Sequence, residues 1–235
     1  MIVTELSPRS LDSIDVDDDR DAARAWIAAR YGSADPESVR LNMITSLTGS
    51  AGGADGTSET LTGGADRFIL SAIRAAADAV IVGAQTVRAE GYLLPRSAAL
   101  AVVTRSGSLE GLRMPDEADQ PLIALCPASR AKQVKASVAH LSAEVVGLPA
   151  DEPTPELVVD ALRDRGLRHL VCEGGPSLAR QFADSGVIDE YCITVAPALT
   201  PAEHPFLGIH NAVATELAGH LVDDEGFTYL RLRAR

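Results

Sequence analysis

From Val39 onward the chain alternates short, continuous apolar runs with stretches of helical periodicity, and this alternation restricts its fold more than any other feature. Ala79-Val-Ile-Val82 and Leu122-Ile-Ala-Leu-Cys126 are apolar at successive positions, so both faces of such strands must be covered. Covered strands separated by helices are the mark of βαβ construction around a mostly parallel sheet. The pattern places strands at 40–45, 79–82, 100–104, 122–126, 144–146, 169–172 and 190–195, with helices near 65–76, 128–139, 154–165 and 176–185. Ser129 and Thr154 stand where helix caps belong, and Pro176 falls in a first turn. Near the end, Leu230 and Leu232 alternate with Arg231 and Arg233, which predicts an antiparallel strand at the sheet edge. Residues 1–38 read as a helical extension, with Asp17, Asp18 and Asp19 leading into a helix over Arg20–Tyr31. Residues 39–235 read as one α/β domain.

Charge narrows the partners. Lys and Arg number 21 against 33 Asp and Glu, a formal net charge of −12 that repels nucleic acid. No stretch approaches the roughly 18 apolar residues of a membrane span, and residues 1–10 lack the basic start and apolar middle of a signal peptide. A cytoplasmic, soluble protein is expected. Cys126, Cys172 and Cys192 form an odd set without C-x-x-C spacing and read as reduced core residues. The five histidines show no ligand spacing, so no metal is expected.

Three strand ends could carry chemistry. In Glu173-Gly174-Gly175-Pro176-Ser177-Leu178 an apolar strand passes through two glycines directly into a helix, where free N–H groups favour a pyrophosphate. A plain glycine turn is the other reading of this segment. A second strand ends at Gly83 and places Thr86 and Glu90 beyond its carboxyl end, where open α/β sheets bind ligands. The third ends in Thr104-Arg105-Ser106, a guanidinium beside two hydroxyls that suits a phosphate monoester or serves as a solvated loop. The glycine-rich loop 46–58 has the length of a lid. G-x-G-x-x-G and G-x-x-x-x-G-K-[ST] are both absent, and Ser177 lacks a G-x-S-x-G elbow.

Four ordered segments carry a resemblance: Asn42-Met-Ile-Thr-Ser-Leu-Thr-Gly49, Ile73-Arg-Ala-Ala-Ala-Asp-Ala-Val-Ile-Val-Gly-Ala-Gln-Thr-Val87, Glu173-Gly-Gly-Pro-Ser-Leu178 and Ile188-Asp-Glu-Tyr-Cys-Ile-Thr-Val-Ala-Pro197. Together they resemble the reductase domain of bifunctional riboflavin-biosynthesis deaminase/reductases, of dihydrofolate-reductase-like fold. The H-x-E and P-C-x-x-C ligands of that family's deaminase half are not found in the sequence, so it looks like a stand-alone reductase. The resemblance implies a homodimer that uses NADPH to reduce the ribosyl group of a 5-amino-6-(phosphoribosylamino)uracil to ribityl. The apolar strand 188–195 would suit its interface. Gly83, Thr86, Thr104, Arg105, Ser106 and Glu173 to Leu178 match the family's cofactor segments. Ser58 and Arg74 match positions that hold the substrate's phosphate and ribose region, and Arg96 lies within a residue of the matching Arg after the next loop. Asn42 stands where many relatives carry Lys, and Glu90 stands near the family's Asp, so both are implied as catalytic.

Two departures bear on substrate. The family usually reads S-L-D-G where this chain has Ser46-Leu-Thr48-Gly, and A-D-D-P where it has Ala89-Glu90-Gly91-Tyr92. A reshaped pocket would admit a related pyrimidine or a pterin, so a dihydrofolate or dihydropteridine reductase of the same fold is the rival reading. A non-catalytic nucleotide-binding protein is the third.

Overall fold

The computed structural model describes residues 1–7, 11–32, 35–90, 95, 97–109 and 120–235, the side chain of Glu90 excepted. Strands β1 (Ile2–Ser7) and β2 (Ser13–Asp15) precede helix α1 (Arg20–Tyr31), and β3 (Ser38–Ser46) leads through a long loop to α2 (Asp66–Ala75). Then come β4 (Ala79–Gly83), α3 (Ala84–Glu90), β5 (Ala99–Val103), β6 (Leu122–Pro127), α4 (Ala131–Ser137) and β7 (Ala143–Leu148). They are followed by α5 (Pro155–Arg163), β8 (His169–Gly174), α6 (Pro176–Ser185), β9 (Glu190–Ala196), β10 (Thr215–Asp223) and β11 (Thr228–Ala234).

Among the described residues, eleven strands join one sheet in the order β2-β1-β10-β11-β9-β3-β8-β4-β5-β6-β7. From β9 to β7 every pairing is parallel, and from β9 outward through β11, β10, β1 and β2 every pairing is antiparallel. The apolar runs explain the parallel part, because alternate residues feed two cores. Val80, Val82, Leu100 and Val102 pack with α1, α2 and α4, while Ala79, Ile81, Ala101 and Leu125 pack with α5 and α6.

The C-terminal strand is antiparallel as its alternation predicts, but it lies inside the antiparallel extension, with β10, β1 and β2 beyond it. Residues 1–38 accordingly carry strand as well as helix. The strand at 188–195, expected to suit a subunit interface, is the interior strand β9, paired on both sides by β3 and β11. Ser129 does not cap α4 either; it lies in a 3-10 turn over Ala128–Arg130, whereas Thr154 does cap α5 by accepting from Leu157 N at 3.4 Å. All three cysteines are buried and free, and burial pushes the Cys172 thiol up to about 12.

An ionic knot fastens α1 to the sheet. Arg231 of β11 forks onto Glu190 of β9 through Nε at 3.1 Å and Nη2 at 2.8 Å, and Arg40 of β3 approaches the same carboxylate at 3.2 Å. Both guanidinium groups also donate to carbonyls in the last turn of α1: Arg40 to Tyr31 O at 2.6 Å and Arg231 to Arg30 O. These carbonyls lack intrahelical partners, so the two arginines act as a C-terminal cap. Burial works to raise Glu190, but the bond from Arg231 and the two cationic charges win and hold it below the usual carboxylate range. A depressed carboxylate contributes stability that is present above its unfolded value of 4.5 and is lost as pH falls through the folded value. Glu190→Gln should therefore lower stability by about 3 kcal/mol at neutral pH and flatten the acid limb. Denaturant unfolding against pH checks this; an unaltered acid limb would remove Glu190 from the account.

Candidate active site

The carboxyl ends of the parallel strands lie along one edge of the sheet. Neighbouring strands β4 and β8 send their chains to opposite faces there. Val87 of α3 joins the core beneath α1 and α2, whereas Leu178, Ala179 and Phe182 of α6 join the core beneath the other face. Open α/β sheets bind ligands at such a switch point. Gly83 and Gly174 meet across it, since a Cβ on Gly83 would sit 3.5 Å from the Gly174 carbonyl oxygen. Gly175 follows at φ +25°, and a Cβ on it would lie 2.4 Å from the Thr86 hydroxyl. Gly83, Thr86, Gly174 and Gly175, singled out from separate segments, thus form one cradle.

Helix α6 opens against this cradle with no side-chain cap at Gly175. Leu178 N and Ala179 N donate back to the Gly175 carbonyl, each at 3.0 Å, and Pro176 has no N–H. That leaves the N–H of exposed Ser177 without a partner among the described residues. An uncapped first turn above a close glycine approach fits an anion such as a pyrophosphate. Leu178 is buried in the core and supports the turn from behind.

The end of β5 is arranged differently from its sequence reading. Thr104 is buried just past the strand, where its hydroxyl accepts from Gly107 N at 3.1 Å and donates to Ser108 O at 3.3 Å, so it shapes its own turn. Arg105 is 75% exposed and pairs with Glu152 at 3.2 Å. Ser106 accepts from Ser108 N at 3.3 Å. The guanidinium and the second hydroxyl remain at the surface of the strand end.

On the α2 side of the sheet, Arg74 and Glu173 form a bidentate pair, Nε to Oε1 at 2.8 Å and Nη2 to Oε2 at 2.6 Å. A residue read as substrate-binding and one read as cofactor-binding therefore grip each other. Half-buried Asn42 shares this face, because its neighbours Leu41 and Met43 point to the opposite core and Ile44 to this one. Ser58 lies half-buried in the loop before α2. That loop, expected as a lid, is a series of turns: Asp55 accepts from the Thr57 and Thr60 hydroxyls, and Ser50 pairs with Pro205. The Glu90 side chain, Gly91, Tyr92 and Arg96 lie outside the described residues.

Asp66 is the functional candidate that the sequence reading missed. It opens α2, is buried, and accepts from the Thr194 hydroxyl of β9 at 2.7 Å. Burial pushes its carboxyl up; the Thr194 bond and Arg67 oppose this, and the nearby Glu173 charge adds to it. An acid at a helix start is ordinarily a dipole complement. The signal was its spacing: Asp66 occupies the same helical stripe as the buried Ile69 and Ile73.

A family model described as the RibD C-terminal domain matches residues 37–229. The chain belongs to the RibD C-terminal domain family. Riboflavin biosynthesis protein RibD of Mycobacterium tuberculosis is 33% identical over 161 residues, 68% of this chain and 42% of that protein. The chain thus spans less than half the length of the curated relatives it matches. A pyrimidine reductase-like protein from Corynebacterium diphtheriae superposes with a TM-score of 0.75 at 24% identity, covering 89% of this chain and 98% of that one. A Thermotoga maritima diaminohydroxyphosphoribosylaminopyrimidine deaminase/5-amino-6-(5-phosphoribosylamino)uracil reductase gives 0.68 at 19% identity, over 85% and 57% of the two chains. The Saccharomyces riboflavin biosynthesis reductase Rib7 gives 0.67 at 14% identity, over 89% and 98%. These likenesses show a shared dihydrofolate-reductase-like fold.

In this RibD C-terminal domain the match begins just before β3, so β1, β2 and α1 lie outside it. Thr48, which stands where the resemblance leads one to expect Asp, is tied to the loop after β9. Its hydroxyl donates to Thr200 O at 2.5 Å and accepts from Thr200 N at 3.0 Å, with the Ser46 hydroxyl 2.9 Å away. A carboxylate could not donate to that carbonyl, so the departure at 48 has a local structural reason.

Proposed function

We propose that this domain is an NADPH-dependent pyrimidine reductase of riboflavin biosynthesis, reducing the ribosyl group of 5-amino-6-(5-phosphoribosylamino)uracil to ribityl. The observation that carries this reading is the glycine cradle of Gly83, Thr86, Gly174 and Gly175 lying beside the Arg74 and Glu173 pair. The cradle and the Ser177 N–H would hold the cofactor's pyrophosphate, and Arg105 with Ser106 would take its ribose phosphate. Bound NADPH supplies a hydride. The chain must supply the proton, and Asp66, whose carboxyl burial pushes up, would hold one on the substrate side. Ser58, Arg74 and Arg96 would receive the substrate's phosphate and ribose, with Asn42 and Glu90 beside the reacting carbon. A cytoplasmic homodimer goes with this reading.

The pterin alternative has one observation in its favour. A buried carboxyl on a threonine hydroxyl, as Asp66 is on Thr194, suits the paired N–H groups of an aminopyrimidinone ring. Loss of NADPH absorbance with the phosphoribosylaminouracil and with dihydrofolate, offered in parallel, separates the two. Turnover of the first alone supports the riboflavin assignment, and turnover of dihydrofolate alone moves the enzyme to pterins. Tight NADPH binding with neither substrate turned over would favour a sensing role.

Cofactor choice gives a further prediction. Arg105 faces solvent and can leave Glu152 for a phosphate, so Arg105→Ala should weaken NADPH about tenfold while changing NADH little. Fluorescence titration with each nucleotide checks it; equal losses would remove Arg105 from the phosphate site.

A further inference from the structure

Helix α2 carries Asp66 and Arg74, yet its start is capped by no side chain of its own. The cap comes from the turn between β10 and β11. Ala65 N donates to Asp223 Oδ2 at 3.1 Å and to the Tyr229 hydroxyl at 2.8 Å, and Gly64 N donates to Glu225 at 3.2 Å. Tyr229 in turn donates to Asp223 Oδ2 at 2.6 Å, while the other oxygen of Asp223 accepts from Glu225 N and Phe227 N at 3.1 and 2.9 Å. Asp223 and Tyr229 are 8% and 1% exposed, so their shared contact with Ala65 N is shut off from solvent, while Glu225 closes the turn from the exposed side. Close approach is enforced at Gly64, with φ +51°, where a Cβ would fall 2.2 Å from Asp223 Oδ2.

This arrangement is more than an ordinary helix cap. A local cap would stabilise α2 wherever the helix lay, whereas this one fixes the helix start relative to the sheet. Ala65 immediately precedes Asp66, which must meet Thr194 on β9, and Arg74 must meet Glu173 on β8 from the same helix. We propose that Asp223 and Tyr229 are positioning residues, which clamp the start of α2 from the β10–β11 turn and so hold Asp66 and Arg74 in the geometry the reaction uses. The proposal rests on the reading of the α2 side as the substrate side.

Tyr229→Phe tests it, because the ring and its stacking on Phe227 are retained and only the shared hydroxyl is lost. Asp223→Asn is the second variant should the first not fold. The expected result is an NADPH Kd within twofold of wild type, with kcat lowered about tenfold and substrate KM raised severalfold. A carboxyl carbon NMR titration of Asp66 reads the clamp without turnover, and its midpoint should move in Tyr229→Phe. The other groups around Asp66, namely Thr194, Arg67, Glu173 and Tyr31, are unchanged in that variant. A less stable protein with unchanged kcat, KM and Asp66 titration overturns the proposal. A moved titration in a protein whose wild type turns over neither substrate supports the clamp and refutes the proposed reaction.

Discussion

Arg74→Ala should abolish turnover and lower stability by about 3 kcal/mol. The Glu173 side chain is 7% exposed and receives the Arg74 fork at 2.8 and 2.6 Å. Truncating Arg74 removes that fork from a carboxylate already held mostly out of water. Asp66 is close enough to Glu173 that its own carboxyl is pushed further up, so the loss of the guanidinium sets two acids against each other. Asp66 should then draw a proton more readily, which disturbs the face on which the substrate would lie. The double variant Arg74→Ala with Glu173→Gln should recover most of the stability and none of the activity. Denaturant unfolding and NADPH oxidation read the two effects separately. Retention of more than about a tenth of wild-type turnover in Arg74→Ala would remove the pair from the site.

The second large effect is expected at Gly175. Alanine there must adopt φ +25° and place its Cβ 2.4 Å from the Thr86 hydroxyl. Strained backbone of this kind costs about 1–3 kcal/mol, and the turn that shifts to relieve it is the one proposed to hold the pyrophosphate. Gly175→Ala should weaken NADPH at least tenfold, or about 1.4 kcal/mol, and lower Tm. Adding Thr86→Ala relieves the clash but not the backbone strain, so affinity should return in part. Additive losses in that double-mutant cycle would show that Thr86 and Gly175 do not act as one unit.

How far these features are legible in the sequence follows from where their partners lie. The parallel strands are readable because burial on both faces leaves continuous apolar runs, as in Ala79–Gly83 and Ala99–Val103. The β8–α6 turn is readable because two glycines and a proline sit between strand and helix. Arg74 and Glu173 are each visible as candidates, but their pairing spans 99 positions and depends on β8 entering beside β3. Strand β10 is hidden by Gly219 and by the irregular register between Leu217 and Gly219. In β1, the inward Glu5, neutralised by Arg30, breaks the apolar alternation. Helix α3 escapes because its buried apolar residues are only Ala84 and Val87, too few to show a helical stripe. Thr104 shows the converse: its side-chain type suggested a ligand contact, and its own turn uses it.

The place of β8 also dictates an order of assembly. This strand completes the centre of the sheet between β3 and β4, yet it is synthesised after β7. Until His169–Gly174 has left the ribosome, β3 and β4 present bare, apolar edges, and the run β4 to β7 can pair only with itself. Joining the halves requires closing loops across most of the chain, which puts refolding on the order of seconds rather than microseconds. Nascent chains halted before β8 should accordingly be the most aggregation-prone species this sequence produces.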